Sequence, residues 1–224
     1  MIAAAGSGER LGAGGPKAFV RLAGKPVLAW SLAAFAAAES VGEIIVAAPP
    51  GDEGRAGAVA VREGVEARVT PGGDARSQSV GRALDLVDSE LVVVHDAARP
   101  LIRAELIDEI VGRLAADEDL AGVIAAAPVT DTIKEGSHSR RVIRTPEREH
   151  LWAAQTPQAF RTAALRAAIE EHPDLLGTVS DDAMLVERAG GAVLLHRTPS
   201  ENLKVTTPLD LRVAELLLAD RSAP

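Results

Sequence analysis

Near the amino terminus, Gly6-Ser7-Gly8-Glu9-Arg10 is followed shortly by Pro16-Lys17, and five of the ten residues from Gly6 to Gly15 are glycine. Backbone N–H groups unscreened by side chains can approach a phosphate closely, and a following lysine neutralises it. Arg10 and Lys17 are the only cations of the stretch. Two familiar phosphate loops can be tested here. A Walker A sequence needs Gly-Lys followed by Ser or Thr, whereas Gly24-Lys25 is followed by Pro26. A dinucleotide fingerprint needs a third glycine at position 11, which is Leu11. It also needs an acidic residue closing the second strand, where this chain has Ala47-Ala48-Pro49-Pro50. Neither pattern fits, which leaves a phosphate cradle of another kind or a plain glycine-rich surface loop.

Further polar clusters recur after apolar runs. Pro71-Gly72-Gly73-Asp74-Ala75-Arg76-Ser77-Gln78-Ser79 offers glycines and then hydroxyls, as a ligand loop or with Ser77 or Ser79 as a helix N-cap. His95-Asp96-Ala97-Ala98-Arg99-Pro100 places an aspartate at a strand tip. That residue could meet a hydrated Mg²⁺ and a phosphate, or pair with Arg99 to staple the turn. Val179-Ser180-Asp181-Asp182 reads as a cap with first-turn acids. Lys204, in Asn202-Leu203-Lys204-Val205-Thr206, either faces a ligand or snorkels from an apolar setting. The five histidines show no zinc-ligand spacing, and no Gly-x-Ser-x-Gly elbow is present. Phosphate-binding groups are thus plentiful and acid–base machinery scarce. A phosphate monoester acting as nucleophile needs no general base, because its second pKa near ~6 leaves it mostly dianionic at neutral pH. Catalysis then reduces to positioning two anions and stabilising charge on the attacked phosphorus.

The elements that would carry these loops alternate. Predicted strands are Ile2–Ala5, Glu43–Ala47, Glu66–Thr70, Glu90–His95, Gly122–Ala127 and Ala192–His196. Predicted helices are Pro26–Ala38, Ser77–Val87, Ala104–Ala116, Thr162–Glu171, Asp181–Ala189 and Pro208–Ala219, the last capped by Thr207 with proline at its first position. Unalternating runs such as Leu91-Val92-Val93-Val94 suit strands covered on both faces. The expectation is an α/β fold with a doubly wound, mostly parallel sheet. In such sheets ligands bind beyond the carboxyl ends of the strands, where the clusters above fall.

The chain has 224 residues, suiting one domain, 1–224, with 47% apolar residues but only 2% aromatic. Its core must therefore be built from Ala, Val, Leu and Ile. The absence of cysteine removes disulfides and thiolate metal sites. No apolar run reaches the roughly 18 residues a bilayer span requires, so a cytoplasmic location is expected. A net charge of −8 argues against general nucleic-acid binding but not against a small phosphorylated ligand. One segment interrupts the rhythm: 129–150 is polar and charged. It is either a surface loop or a two-stranded arm with 132–134 and 141–144 as its sides. An isolated hairpin is marginal in water, so such an arm would want a partner chain to lie on.

Taken in order, A-A-G-x-G-x-R…P-K, G-G-x-x-R-x-x-S, H-D-A-A-R-P, D-T-I-K, L-W-x-x-x-T-P-Q and N-x-K-V-T resemble the 2-C-methyl-D-erythritol 4-phosphate cytidylyltransferase family over nearly the whole chain. The resemblance implies a nucleotidyltransferase fold and the joining of CTP to methylerythritol phosphate with release of pyrophosphate. It implies a requirement for Mg²⁺ and a place in the non-mevalonate isoprenoid pathway. By the same resemblance, Ala4, Ala5, Gly6 and Gly8 contact CTP, and Arg10 and Lys17 stabilise the pentacovalent transition state. Gly73, Asp74 and Ser79 read the cytosine and ribose, with Ala97 nearby. Ser180 joins the nucleotide set where the family has Thr. Asp96, Arg99, Thr132, Arg148 and Lys204 surround methylerythritol phosphate, Arg148 and Lys204 holding its phosphate. Asp96 is the candidate metal ligand, unless the CTP phosphates hold the ion. The 129–150 segment becomes a dimerisation arm, so Thr132 and Arg148 serve the neighbour's site and a homodimer is expected.

Three alternatives stand beside this reading. They are a cytidylyltransferase for another polyol phosphate such as ribitol 5-phosphate, a non-catalytic nucleotide-binding regulator, and more remotely an oxidoreductase. One departure from the family pattern concerns the first strand. Only Ile2 and Ala3 separate Met1 from Ala4, whereas strands average roughly five or six residues. Either the strand is short here or the chain continues upstream, and the shortfall favours the second.

Overall fold

A computed structural model describes residues 1–6, 8, 11, 15–199 and 201–222. The strands are β1 (Ile2–Ala3), β2 (Arg21–Leu22), β3 (Lys25–Pro26), β4 (Ile45–Ala48), β5 (Arg68–Pro71), β6 (Leu91–Asp96), β7 (Leu120–Pro128), β8 (Glu135–Gly136), β9 (Val142–Arg144), β10 (Trp152–Arg161) and β11 (Ala192–Arg197). The α-helices are α1 (Val27–Ala37), α2 (Glu53–Arg62), α3 (Arg76–Leu84), α4 (Ala104–Ala115), α5 (Thr162–Glu171), α6 (Ala183–Arg188) and α7 (Pro208–Ser222). Among the described residues, seven strands form the central sheet in the order β11-β7-β10-β6-β1-β4-β5. The pairs β6–β1, β1–β4, β4–β5 and β7–β11 are parallel, while β10 runs antiparallel to both β6 and β7.

Both faces of the sheet are covered. Val46 and Ala48 point to a core shared with α1, α2 and α4, while Ile45 and Ala47 point to one shared with α3, α5 and α6. Successive strand residues face opposite sides, so burial on both sides requires the continuous apolar runs seen in the sequence. A third, smaller cluster joins Leu22 of β2, Val27 at the start of α1, Leu101, Val205 and the α7 residues Ala214 and Leu218. The Thr207 cap is present: its hydroxyl accepts from the Asp210 N–H at 3.2 Å, and the Asp210 carboxylate accepts from the Thr207 N–H at 2.8 Å.

The mostly parallel, doubly wound expectation holds; besides the short β2–β3 pair, two larger elements were not suggested by the sequence. The first is α2, whose run from Glu53 to Arg62 is diluted by two glycines. The second is β10, which sits in the middle of the sheet and carries polar Gln155, Thr156 and Gln158 with Pro157 between them. Its register shifts between Ala154 and Gln158, where the ladder with β7 is interrupted. The 129–150 segment contains a short antiparallel ladder, but its sides are corrected. Residues 132–134 are not a strand; Glu135–Gly136 pairs with Val142–Arg144. The turn is closed by the Ser137 N–H on the Arg141 carbonyl at 2.9 Å, with Arg140 at φ +62°. Among the described residues no helix is long and apolar enough to cross a membrane.

Candidate active site

Strands β1, β4, β5 and β6 end on one edge of the sheet, at Ala3, Ala48, Pro71 and Asp96. The order of strand addition reverses about β1, and a cavity of about 700 Å³ opens beyond that switch point. Its walls include Ala4, Ala5, Gly6, Gly8, Lys17, Gly73, Asp74, Ser79, Asp96, Ala97 and Lys204, eleven of the residues singled out from the sequence.

The glycine loop turns back on itself. Gly8 has φ +74°, and a side chain there would come within 3.0 Å of the Lys17 backbone nitrogen. That nitrogen donates to the Gly6 carbonyl at 3.3 Å, which returns Lys17 to the start of the loop. Arg10 lies outside the described residues.

The second glycine pair packs against the first loop. A Cβ on Gly72 would collide with the Cβ of Ala5 and lie 2.9 Å from Ser79 Oγ, so only glycine fits. Neither Ser77 nor Ser79 caps α3. Ser79 Oγ accepts from the Gly73 N–H at 3.0 Å and donates to the Ala75 carbonyl at 3.0 Å. Ser77 Oγ accepts from the Gly177 N–H at 2.9 Å. The donors of the turn go instead to Gln78 Oε1, at 3.0 Å from Asp74 N and 3.3 Å from Ala75 N.

At the tip of β6 both oxygens of Asp96 are engaged. Arg76 Nε donates to Oδ1 and Lys204 Nζ to Oδ2, each at 2.6 Å. Burial alone would raise this carboxyl, but the Arg76 and Lys204 charges outweigh it and hold it well below the usual range. With both oxygens paired to cations, Asp96 offers no free oxygen to a metal ion in this arrangement. Among the described residues no group of three or more His, Cys, Asp or Glu side chains could hold a metal ion.

Behind Asp96 lies His95, fully buried. Its Nε2 is 3.2 Å from the Arg99 carbonyl, which can only accept, so Nε2 carries the proton. Nδ1 then accepts from the Thr156 hydroxyl at 3.1 Å, and Thr156 Oγ1 accepts from the Asp96 N–H at 3.0 Å. Burial, only partly opposed by Asp96, pushes His95 down to about 3, so it is neutral in this chain of bonds.

Arg99 is buried as well and does not line the cavity. Its Nη1 donates to the Asn202 carbonyl at 2.8 Å, and Asn202 Nδ2 donates to Gln155 Oε1 at 2.8 Å and to the Thr156 carbonyl at 2.9 Å. The Val205 N–H closes on the Ala98 carbonyl at 2.8 Å. The segments 95–100, 155–158 and 202–206, remote in sequence, are thereby one unit that sets where Lys204 stands. The Arg99 backbone N–H donates to the Asp96 carbonyl at 2.9 Å, but its guanidinium goes to Asn202 and not to the Asp96 carboxylate, so the expected side-chain staple is a strap onto Asn202 instead.

Besides Arg99, three expected residues lie off the cavity. Thr132 and Arg148 are exposed on the 129–150 segment, where Arg148 Nη1 donates to the Thr130 carbonyl at 2.6 Å. Ser180 is exposed ahead of α6. Conversely, Arg76, Asp182, Thr156 and Asn202 build the site without having been assigned roles. All four stood within stretches quoted above, Thr156 in L-W-x-x-x-T-P-Q and Asp182 after Ser180, but nothing in those stretches marked which partners they would meet.

A phosphate-receptive glycine loop on a doubly wound sheet, facing a lysine across the switch point, defines a nucleotidyltransferase type of cleft. Residues 1–220 match the family "IspD: 2-C-methyl-D-erythritol 4-phosphate cytidylyltransferase". The enzyme of that name from Thermosynechococcus vestitus is 43% identical, with 99% of this chain and 95% of the relative covered. The crystal structure of the Thermus thermophilus enzyme aligns with a TM-score of 0.79 at 34% identity over 97% of each chain. That of the 4-diphosphocytidyl-2C-methyl-D-erythritol synthase from Anaerococcus prevotii gives 0.85 at 28%, covering 97% of this chain and 94% of that one. The chain belongs to the 2-C-methyl-D-erythritol 4-phosphate cytidylyltransferase family and is a nucleotidyltransferase.

Proposed function

We propose that the cleft transfers CMP from CTP to 2-C-methyl-D-erythritol 4-phosphate, releasing pyrophosphate, as a step of isoprenoid precursor synthesis. The observation carrying this reading is the convergence of the glycine loop, Lys17, the 73–79 turn, Asp96 and Lys204 on one cavity, in a chain of this family. A phosphate oxygen of the polyol phosphate attacks the α-phosphorus of CTP, and the bond from that phosphorus to the β-phosphate oxygen breaks. The attacking dianion needs no base. Ala4, Ala5, Gly6 and Gly8 cradle the triphosphate, and Gly73, Asp74, Ser79 and Ala97 receive the nucleoside, with Ser180 at its margin. Lys17, with Arg10, stabilises the charge that grows on the α-phosphate. Lys204 takes the incoming phosphate and Asp96 the polyol hydroxyls, with Arg99 fixing the loop between them. Mg²⁺ enters as part of the nucleotide substrate, carried on triphosphate oxygens whose charge it offsets.

The whole chain, 1–224, acts in this reading as one cytoplasmic domain. The 129–150 arm reaches a second copy, where Thr132 and Arg148 complete the neighbour's polyol phosphate site. Mixing Lys17→Ala with Arg148→Ala subunits then leaves one intact site in each mixed dimer and recovers about a quarter of wild-type activity at equal mixing. No recovery would remove the arm from catalysis. The substrate assignment is tested by pyrophosphate release from CTP with methylerythritol phosphate against ribitol 5-phosphate. A preference for ribitol phosphate overturns it.

A further inference from the structure

We propose that Arg76 and Asp182 are positioning residues that keep Asp96 oriented when Lys204 leaves it for the substrate phosphate. The inference rests on the reading that Asp96 and Lys204 receive the polyol phosphate.

Four charges stand in a row along this edge of the sheet. Asp182 at the start of α6, Arg76 at the start of α3, Asp96 at the end of β6 and Lys204 in the loop before α7 are joined by contacts of 2.6 Å each, in alternating sign. The guanidinium is used as a fork, with Nη1 on Asp182 Oδ2 and Nε on Asp96 Oδ1. Its remaining nitrogen, Nη2, is buried without a partner, and the side chain forms part of the cavity wall. Its bond to Asp96 Oδ1 is the route by which it bears on the polyol phosphate site.

The two cations on Asp96 differ in freedom. The Lys204 side chain is 41% exposed and bound to one carboxylate, whereas Arg76 is 26% exposed and gripped by two. Asp182 is fully buried, and its second oxygen has no partner. Burial pushes its carboxyl up, against the opposing Arg76 charge, so the site bears a cost to keep this residue there. What Asp182 supplies is balance. Without it, two cations would face one carboxylate and the cluster would carry a net positive charge. With it, the four charges sum to zero while Lys204 rests on Asp96, and Arg76, pinned from its far side by Asp182, still bonds Asp96 after Lys204 moves to a phosphate. Arg76 is suited to this because a planar fork holds two carboxylates at a set angle, which an ammonium cannot do.

Steady-state kinetics with CTP and methylerythritol phosphate test the assignment. Arg76→Gln is expected to raise KM for the polyol phosphate about 30-fold, and Arg76→Lys about fivefold, with KM for CTP within about twofold of wild type in both. Arg76→Lys keeps the charge beside Asp182 and decides the matter should Arg76→Gln not fold. In a cycle with Asp96→Asn, adding Arg76→Gln should cost no more than about another twofold, since the residue it positions is already lost. Full additivity in that cycle, an unchanged polyol phosphate KM, or equal losses for both substrates would overturn the proposal. A wild-type enzyme that turned over CTP only with a different polyol phosphate would instead overturn the parent reading.

Discussion

The cleft and the 129–150 arm are built from the same chain by opposite means. In the cleft, polar side chains are buried and tied to one another across the sequence: Asp96 to Arg76 and Lys204, Thr156 to His95, Asn202 to Gln155 and Arg99. In the arm, apolar side chains stand in the open: Val142 and Ile143 are 62% exposed and Ile133 is 38% exposed. Its ladder of two strands is held by local contacts such as Lys134 to Thr145 and Glu135 to Arg144. A buried polar network makes sense where geometry must be fixed before a ligand arrives, because each unmet group would be costly. An exposed apolar ladder is marginal alone and gains from any surface that covers it. The buried polar network of the cleft closes within the chain, whereas the arm leaves apolar side chains uncovered.

The largest effect expected from breaking the cleft is chemical. Lys17→Ala should lose on the order of 3 kcal/mol of transition-state stabilisation, read as a fall in kcat at saturating substrates. Turnover unchanged by that substitution would sever Lys17 from the reacting phosphorus. Gly72→Ala comes next, because its methyl group meets Ala5 and Ser79 at distances no side chain tolerates. A loss of about 1–3 kcal/mol in denaturant unfolding is expected, with weakened CTP binding. A fully stable variant would mean that the two loops can part.

His95 sharpens the comparison through pH. Folded, it stays neutral down to about pH 3, while its ordinary value is 6.5. Between these values the unfolded chain binds the extra proton, so stability falls as pH drops across that window, by on the order of 1 kcal/mol per pH unit at most. His95→Gln should be less stable at neutral pH yet show a flatter decline on acidification, measured by urea unfolding. An unchanged slope would place the acid sensitivity elsewhere. The smallest effect belongs to the arm. Ile143→Ser should shift the unfolding free energy of the isolated chain by no more than about 0.5 kcal/mol, while weakening self-association in sedimentation. A large loss in the isolated chain would show that the arm is packed after all.

Much of the cleft was legible because its residues follow strands directly. Continuous apolar runs marked the buried strands, and the glycines and charges after them fell on the carboxyl edge, as the parallel topology requires. What was hidden depended on distance in the chain. Nothing local in Trp152–Arg161 announces a central strand, since Thr156 and Gln158 are polar and Pro157 lacks a donor. Their role emerges only once β6 supplies partners. Arg76 stood in view among the motifs, yet its two carboxylates lie 20 and 106 residues further along. Ser79 read equally well as a cap or a ligand group, and only its bonds to Gly73 and Ala75 show it holding the turn.

The reversed strand β10 also governs how this protein must come off the ribosome. β6 and β7 flank a gap one strand wide that nothing before Trp152 can fill. A nascent chain that has emerged only as far as Pro128 therefore holds two apolar strands with open edges, an arrangement prone to pairing with other chains. The polar arm is synthesised during that interval, and closure waits for the strand that follows it. Slow translation through 129–150 would lengthen the exposure, so rare codons there should lower soluble yield more than the same codons placed after Arg161.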